Sequence, residues 1–139
     1  MRRALVRDLE EHGVEVVAEA DERAARRRLG LGRRLEPEDV VELARELRAS
    51  AVVQGRIRHR RRLWRVSIRV LDASDGRSLG TAGWRGRTAR ALSAVGSTGY
   101  ARLRRYLRTA RPAAPPPSRG GGGGSVAGAV GGGGGGGAW

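Results

Sequence analysis

The side chains that most often do chemistry in proteins are few in this sequence, and they are not grouped. The two histidines, His12 and His59, lie far apart in the chain, whereas a zinc site needs three or four ligands. There is no cysteine, which excludes disulfide bonds, thiolate metal sites and a thiol nucleophile. The serines of the chain have neither a histidine nearby nor a nucleophile-elbow pattern around them. The sequence therefore predicts a protein that is not an enzyme and that uses no metal and no cofactor.

Two further kinds of motif are better explained by folding than by chemistry. The neighbouring carboxylates Glu38 and Asp39 stand where a helix begins, and negative charge there is favoured by the helix dipole. The glycine runs near the end of the chain follow no strand, precede no helix and have no lysine beside them, so they are not a phosphate loop. Gly96 and Gly99 flank a motif that resembles a nucleotide-clamping loop, but both fall on the apolar side of a helix. Close approach of that helix to a sheet explains them.

Arginine is the one reactive or charged side chain in clear excess. All 28 basic residues are Arg, against 14 acidic residues, and the formal net charge is +14. Residues 1–50 contain 11 Arg and 12 acidic residues, whereas residues 51–111 contain 16 Arg and only two acidic residues. Such an imbalance indicates an anionic partner. The competing explanation is a GC-rich genome, in which Arg replaces Lys on solvated surfaces without a function.

The elements that must position these arginines follow from hydrophobic periodicity. Helical spacing predicts four helices, at residues 2–12, 21–29, 37–48 and 88–109. A short apolar run predicts a buried strand at residues 14–18, and alternation predicts three more strands, from Ala51, from Trp64 to Val70 and from Ser78 to Arg85. This order predicts an α+β fold, a two-layer sandwich with a mixed sheet, a three-stranded antiparallel meander and helices packed on one face.

The chain divides into a folded part and a tail. Residues 1–111 are predicted to form one α/β domain, and residues 112–139, which are Pro-rich and then Gly-rich, are predicted to be a disordered tether. No window reaches the roughly 18 apolar residues of a membrane helix, so no membrane span is expected.

Alternation in the predicted strands separates apolar from basic side chains. The residues expected to face the helices are Val53, Ile57, Trp64, Val66, Ile68 and Val70. Those expected on the opposite side are Gln54, Arg56, Arg58, Arg65, Ser67 and Arg69. The four arginines of this second set, Arg56, Arg58, Arg65 and Arg69, are the predicted site for an anionic partner, unless water and salt simply screen them.

Residues 2–107 resemble the amino-terminal α/β domain of the translocation protein TolB and similar bacterial envelope domains. The similar segments are residues 13–17, 43–57, 66–72 and 75–77. The resemblance implies an apolar strand before the first helix, whereas here Met1 opens directly on that helix. We therefore expect a misplaced or truncated start. A truncated start would agree with the periplasm or cell envelope, and a true start at Met1 with the cytoplasm.

Two functions stay open at this stage. The resemblance and the missing catalytic groups favour a non-catalytic cell-envelope domain that binds a protein partner, for instance by accepting an extended peptide at a sheet edge. The charge favours a nucleic-acid-binding module that uses the basic face of the sheet and the last helix.

Overall fold

A computed structural model describes residues 1–114 and 125–129 of the chain. Its elements are α1 (Arg2–Glu11), β1 (Glu15–Val16), α2 (Glu19–Leu29), α3 (Pro37–Leu47), β2 (Ala49–Arg60), β3 (Leu63–Asp72), β4 (Ser78–Gly86), α4 (Arg90–Thr109) and β5 (Ser125–Ala129). The strands form one mixed sheet in the order β1-β5-β2-β3-β4, with β2, β3 and β4 antiparallel and with β5 parallel to both of its neighbours. The predicted α+β class with a three-stranded meander is confirmed.

Local signals set most of the element ends. Pro37 opens α3, and the Glu36 N–H donates a 2.9 Å hydrogen bond to Asp39 Oδ2, which satisfies one of the free amides at this terminus. Gly30 ends α2 in the left-handed conformation, at φ 66°. α2 begins at Glu19, two residues before the predicted Asp21, and so its first turn holds three acidic residues.

The main core lies between one face of the meander and the helices α1 and α4. Leu5 and Leu9 of α1 and Val95 and Leu103 of α4 are buried there. The strands contribute the predicted inward-facing residues, of which Val53, Val66, Ile68 and Val70 are buried and Ile57 is half-buried. These two helices form the layer that the sequence predicts.

Two glycines of α4 allow close packing. The sequence predicts that they approach the sheet, whereas in the structure they approach the helix α1. A Cβ added at Gly96 would lie 2.5 Å from Ala4 Cβ, and one at Gly99 would overlap Leu5 Cδ1. Both neighbours belong to α1. The small residues of α4 therefore bring the two helices together across their apolar stripes.

The other face of the sheet is covered at one end only. Val40 and Ala44 of α3 are buried against Val52 of β2 and Leu71 of β3, which alternate away from the main core. The sheet therefore differs here from the expectation of helices on one face, since α3 packs on the second face where β2 begins. The remainder of that face, toward the β2–β3 turn, carries the arginines.

The carboxyl-terminal segment does not follow the prediction of a tail without structure. Residues 125–129 form β5, which lies between β1 and β2 and pairs with both. The predicted tail residues 115–124 and 130–139 lie outside the described residues. β1 also differs, because it has two residues rather than five, lies at the edge of the sheet and leaves Glu15 exposed.

Among residues 1–114 and 125–129, no helix combines the length and the apolar character that crossing a bilayer would require.

Candidate polyanion-binding surface

The register of the meander places arginines side by side on three strands. Arg58 of β2 lies opposite Arg65 of β3, and Arg65 lies opposite Arg85 of β4. Arg56 belongs to the next row along the sheet and Arg69 to the row after that. We call the set Arg56, Arg58, Arg65, Arg69 and Arg85 the arginine face. All five are exposed.

None of the arginine-face side chains forms an ion pair or a hydrogen bond with any residue of 1–114. Several arginines in the first half of the chain, by contrast, have acidic partners. Arg26 pairs with the buried Glu22 at 2.6 Å, and Arg28 pairs with Glu46 at 2.8 Å. The positive charge of the arginine face is thus not neutralised by the part of the chain that the structure describes.

The directly opposed arginines of the arginine face slightly lower the stability of the fold. Directly opposed residues of antiparallel strands have Cβ atoms about 4.5–5.5 Å apart, and like charges at such positions are unfavourable by up to about 1 kcal/mol per pair. Arg58 with Arg65 and Arg65 with Arg85 form two such pairs. An anion bound across the row would offset this repulsion by its attraction to each arginine.

A shallow groove runs across the middle of the arginine face. Its volume is about 520 Å³, and Arg56, Arg58, Arg65 and Arg85 are among its lining residues. Ser67 and Gly83, which are paired in the register, also line it and have the smallest side chains there. A Cβ at Gly83 would meet no atom closer than 3.8 Å, so the space above this position is open.

The turn between β2 and β3 adds a second basic feature, which we call the hairpin tip (residues 59–64). Arg61 and Arg62 form a two-residue turn between the paired Arg60 and Leu63. Both turn residues have positive φ, 47° and 63°, the signature of a type I′ turn that usually holds Asn-Gly. The left-handed conformation costs roughly 1–2 kcal/mol for a residue with a Cβ.

An aromatic pair lies at the base of that turn. The rings of His59 and Trp64 are stacked, with centroids 4.1 Å apart and planes 14° from parallel. His59 is exposed and Trp64 half-buried. The pair follows the Arg58–Arg65 row by one residue, so it lies on the sheet face opposite the arginine face, on the same side as Ile57 and Val66.

All four arginines of the predicted site, Arg56, Arg58, Arg65 and Arg69, come together on one face, with Gln54 and Ser67 beside them. Sequence reasoning missed Arg85 and the hairpin tip. The signal for Arg85 was the period-two pattern Thr81, Gly83, Arg85. Gly83 weakens this pattern because it carries no side chain. The signal for the hairpin tip was the two-residue spacing between Arg60 and Leu63, typical of a type I′ turn.

His12, one of the two histidines considered as metal ligands, contacts other residues of the fold. His12 stacks on Tyr100 at 4.2 Å, and its Nδ1 lies 2.7 Å from the Asp8 carbonyl oxygen. Asp8 Oδ2 accepts a 2.7 Å hydrogen bond from the Tyr100 N–H, so this cluster joins α1 to α4. Among the described residues, no three His, Asp or Glu side chains are placed to hold a metal ion.

Comparison with known proteins adds no relative. The chain matches no protein-family model, no curated protein and no solved structure. The resemblance of residues 2–107 to TolB-type domains therefore stays a prediction from the quoted segments.

Proposed function

We propose that this domain is a non-catalytic binding module whose arginine face binds a polyanion, and that the polyanion is nucleic acid. The observation that carries the proposal is the arginine face itself: five exposed arginines on one face of three neighbouring strands, with no acidic partner in residues 1–114.

The spacing of these groups suits a chain of phosphates. Residues two apart on a strand, such as Arg56 and Arg58, are separated by about 6.6 Å, and neighbouring strands by about 4.8 Å. A guanidinium group donates two parallel hydrogen bonds to one phosphate and is always charged. Several such groups on neighbouring strands of one sheet are therefore placed to meet consecutive phosphates.

The hairpin tip favours nucleic acid over an acidic protein. Proteins that bind single strands combine a basic groove with aromatic side chains on which bases stack. His59 offers an exposed ring stacked on Trp64, at the same turn as Arg61 and Arg62 and on the sheet face opposite the arginine face. A carboxylate-rich protein surface has phosphate-like charge but no flat base to use this ring.

The function predicted from the resemblance, a protein-interaction module of the cell envelope, is the second candidate. The position of β5 supports it, because a segment far along the chain adds a strand to the sheet by backbone pairing. Location in the periplasm or envelope remains part of this proposal.

Fluorescence anisotropy of labelled 20-nucleotide single-stranded and duplex DNA, titrated with the full chain, tests the first candidate. With about six phosphates contacted, affinity is expected to fall roughly a thousandfold between 50 and 200 mM salt. The absence of binding at 50 mM salt contradicts it. Displacement of DNA by polyglutamate at equal charge would favour an acidic protein as the partner instead.

A further inference from the structure

The segment Ser125–Ala129 fills an inner position of the sheet, although it lies near the end of the chain. Ser125 pairs with Glu15 of β1 and with Ala49 of β2, and Val126 pairs with Val16 and Ala51. Pairing with β2 continues as far as Gln54. β5 is thus the only connection between β1 and the meander in the described sheet.

The chain between α4 and β5 is anchored at two points. The Arg111 N–H donates a 3.1 Å hydrogen bond to Asp72 Oδ1, and Arg45 Nε donates one of 3.1 Å to the Ala114 carbonyl oxygen. Ten residues, Pro-rich and then Gly-rich, separate Ala114 from Ser125. Ten residues of the predicted tether therefore precede β5 in the sequence.

Backbone pairing does not depend on which molecule supplies the strand. Ser125–Ala129 has the sequence Ser-Val-Ala-Gly-Ala, in which valine is the largest residue. Without it, β2 would present open backbone groups from Ala49 to Gln54, and an open strand edge readily takes up another extended segment.

We propose that the position between β1 and β2 is a strand-acceptor site with an exchangeable occupant, and that the occupant in trans is Ser125–Ala129 of a second copy of this chain. The tether gives the chain's own segment an effective concentration of about a millimolar. The monomer with its own strand therefore prevails at micromolar concentration, and exchange between copies begins near the millimolar range. This site is separate from the arginine face and does not rest on nucleic-acid binding.

The test opens the site in the full chain with Val126→Pro, because proline removes a backbone N–H from a strand paired on both sides. Ser118→Pro, in the proline-rich tether, is the matched control. The probe is a synthetic peptide with the sequence of residues 124–130. At about 1 mM it is expected to raise the Tm of the Val126→Pro chain by about 5 °C. The Tm of the wild-type and Ser118→Pro chains should rise by less than about 2 °C, because their own strand competes for the site at an effective concentration of about a millimolar.

Each other outcome is decisive. If the Val126→Pro chain keeps the wild-type Tm and amide protection in β2, or if its folded form does not respond to the peptide, the proposal is overturned. If that chain fails to fold, peptide-dependent recovery of its circular dichroism supports the proposal and no recovery overturns it. An equal response of the wild-type chain overturns it as well, since the site would then be free.

Size-exclusion with light scattering near 1 mM wild-type chain should detect a dimer that is absent at 10 μM, and a monomer at both concentrations overturns exchange between copies.

Discussion

At the scale of single residues, two kinds of arginine are distinguished by their contacts. Arg102 lies over the Trp84 ring at 5.0 Å, and Arg105 lies over the Tyr106 ring at 4.7 Å, so both belong to the packing of α4. The arginine face has no such contacts within residues 1–114, and Arg61 and Arg62 occupy a backbone conformation that favours glycine. We infer that the second kind is arranged for a ligand rather than for stability.

The hairpin tip allows this inference to be tested. Replacing Arg61→Asn and Arg62→Gly installs the preferred type I′ pair, and we expect the free energy of unfolding to rise by about 1–2 kcal/mol in urea denaturation. The same variant should bind DNA more weakly, because two positive charges are lost beside the aromatic pair. The variant Arg3→Gln with Arg33→Gln loses the same charge at exposed positions and should bind like wild type. A stabilised hairpin variant with unchanged DNA affinity would show that the tip takes no part in binding.

At the scale of elements, contact between α1 and α4 depends on Gly96. Gly96→Ala places a methyl group against Ala4 Cβ, and overpacking of this kind usually lowers the free energy of unfolding by about 1–3 kcal/mol. The double variant with Ala4→Gly removes the clash, so thermal denaturation should show a favourable coupling of about 1 kcal/mol between the two changes. Gly83→Ala, which faces open space, is the control and should be tolerated. Strictly additive effects at positions 4 and 96 would contradict the described packing.

The sequence was most informative where the physics is local. Period-two alternation placed Val66, Ile68 and Val70 inward because successive side chains of a strand point to opposite faces of the sheet. The strand at residues 125–129 was missed because five small residues among glycines carry no periodicity, and their pairing depends on β1 and β2, far away in the sequence. The position of α3 on the second face was also not predictable, since an amphipathic stripe shows that a helix is buried but not against which face.

At the scale of the whole molecule, charge is separated between the two halves of the chain. The acidic residues lie mainly before residue 50, and the strands of the meander carry arginine with few acidic neighbours. The fold therefore contains a positively charged surface, whose field extends over about a Debye length of 10 Å at 0.1 M salt.

This separation predicts an unusual salt dependence of stability. Screening should relieve repulsion within the arginine face, so the Tm of the wild-type chain is expected to rise between 20 and 300 mM NaCl. Relief of about 1 kcal/mol corresponds to roughly 3–5 °C in a domain of this size. The variant with Arg58→Gln and Arg85→Gln should show a smaller rise in a calorimetric scan. An equal rise in both proteins would place the repulsion elsewhere in the molecule.

The most direct measurement compares two full-chain variants with equal net charge in DNA binding at several salt concentrations. One carries Arg56→Gln, Arg58→Gln, Arg65→Gln and Arg69→Gln, and the other carries Arg3→Gln, Arg7→Gln, Arg27→Gln and Arg33→Gln, which are exposed and lie outside the arginine face. If the arginine face is the site, the negative slope of log affinity against log salt should become shallower by about 3–4 in the first variant and remain that of wild type in the second. Equal losses in the two variants, with both proteins folded, would mean that net charge and not this surface accounts for binding.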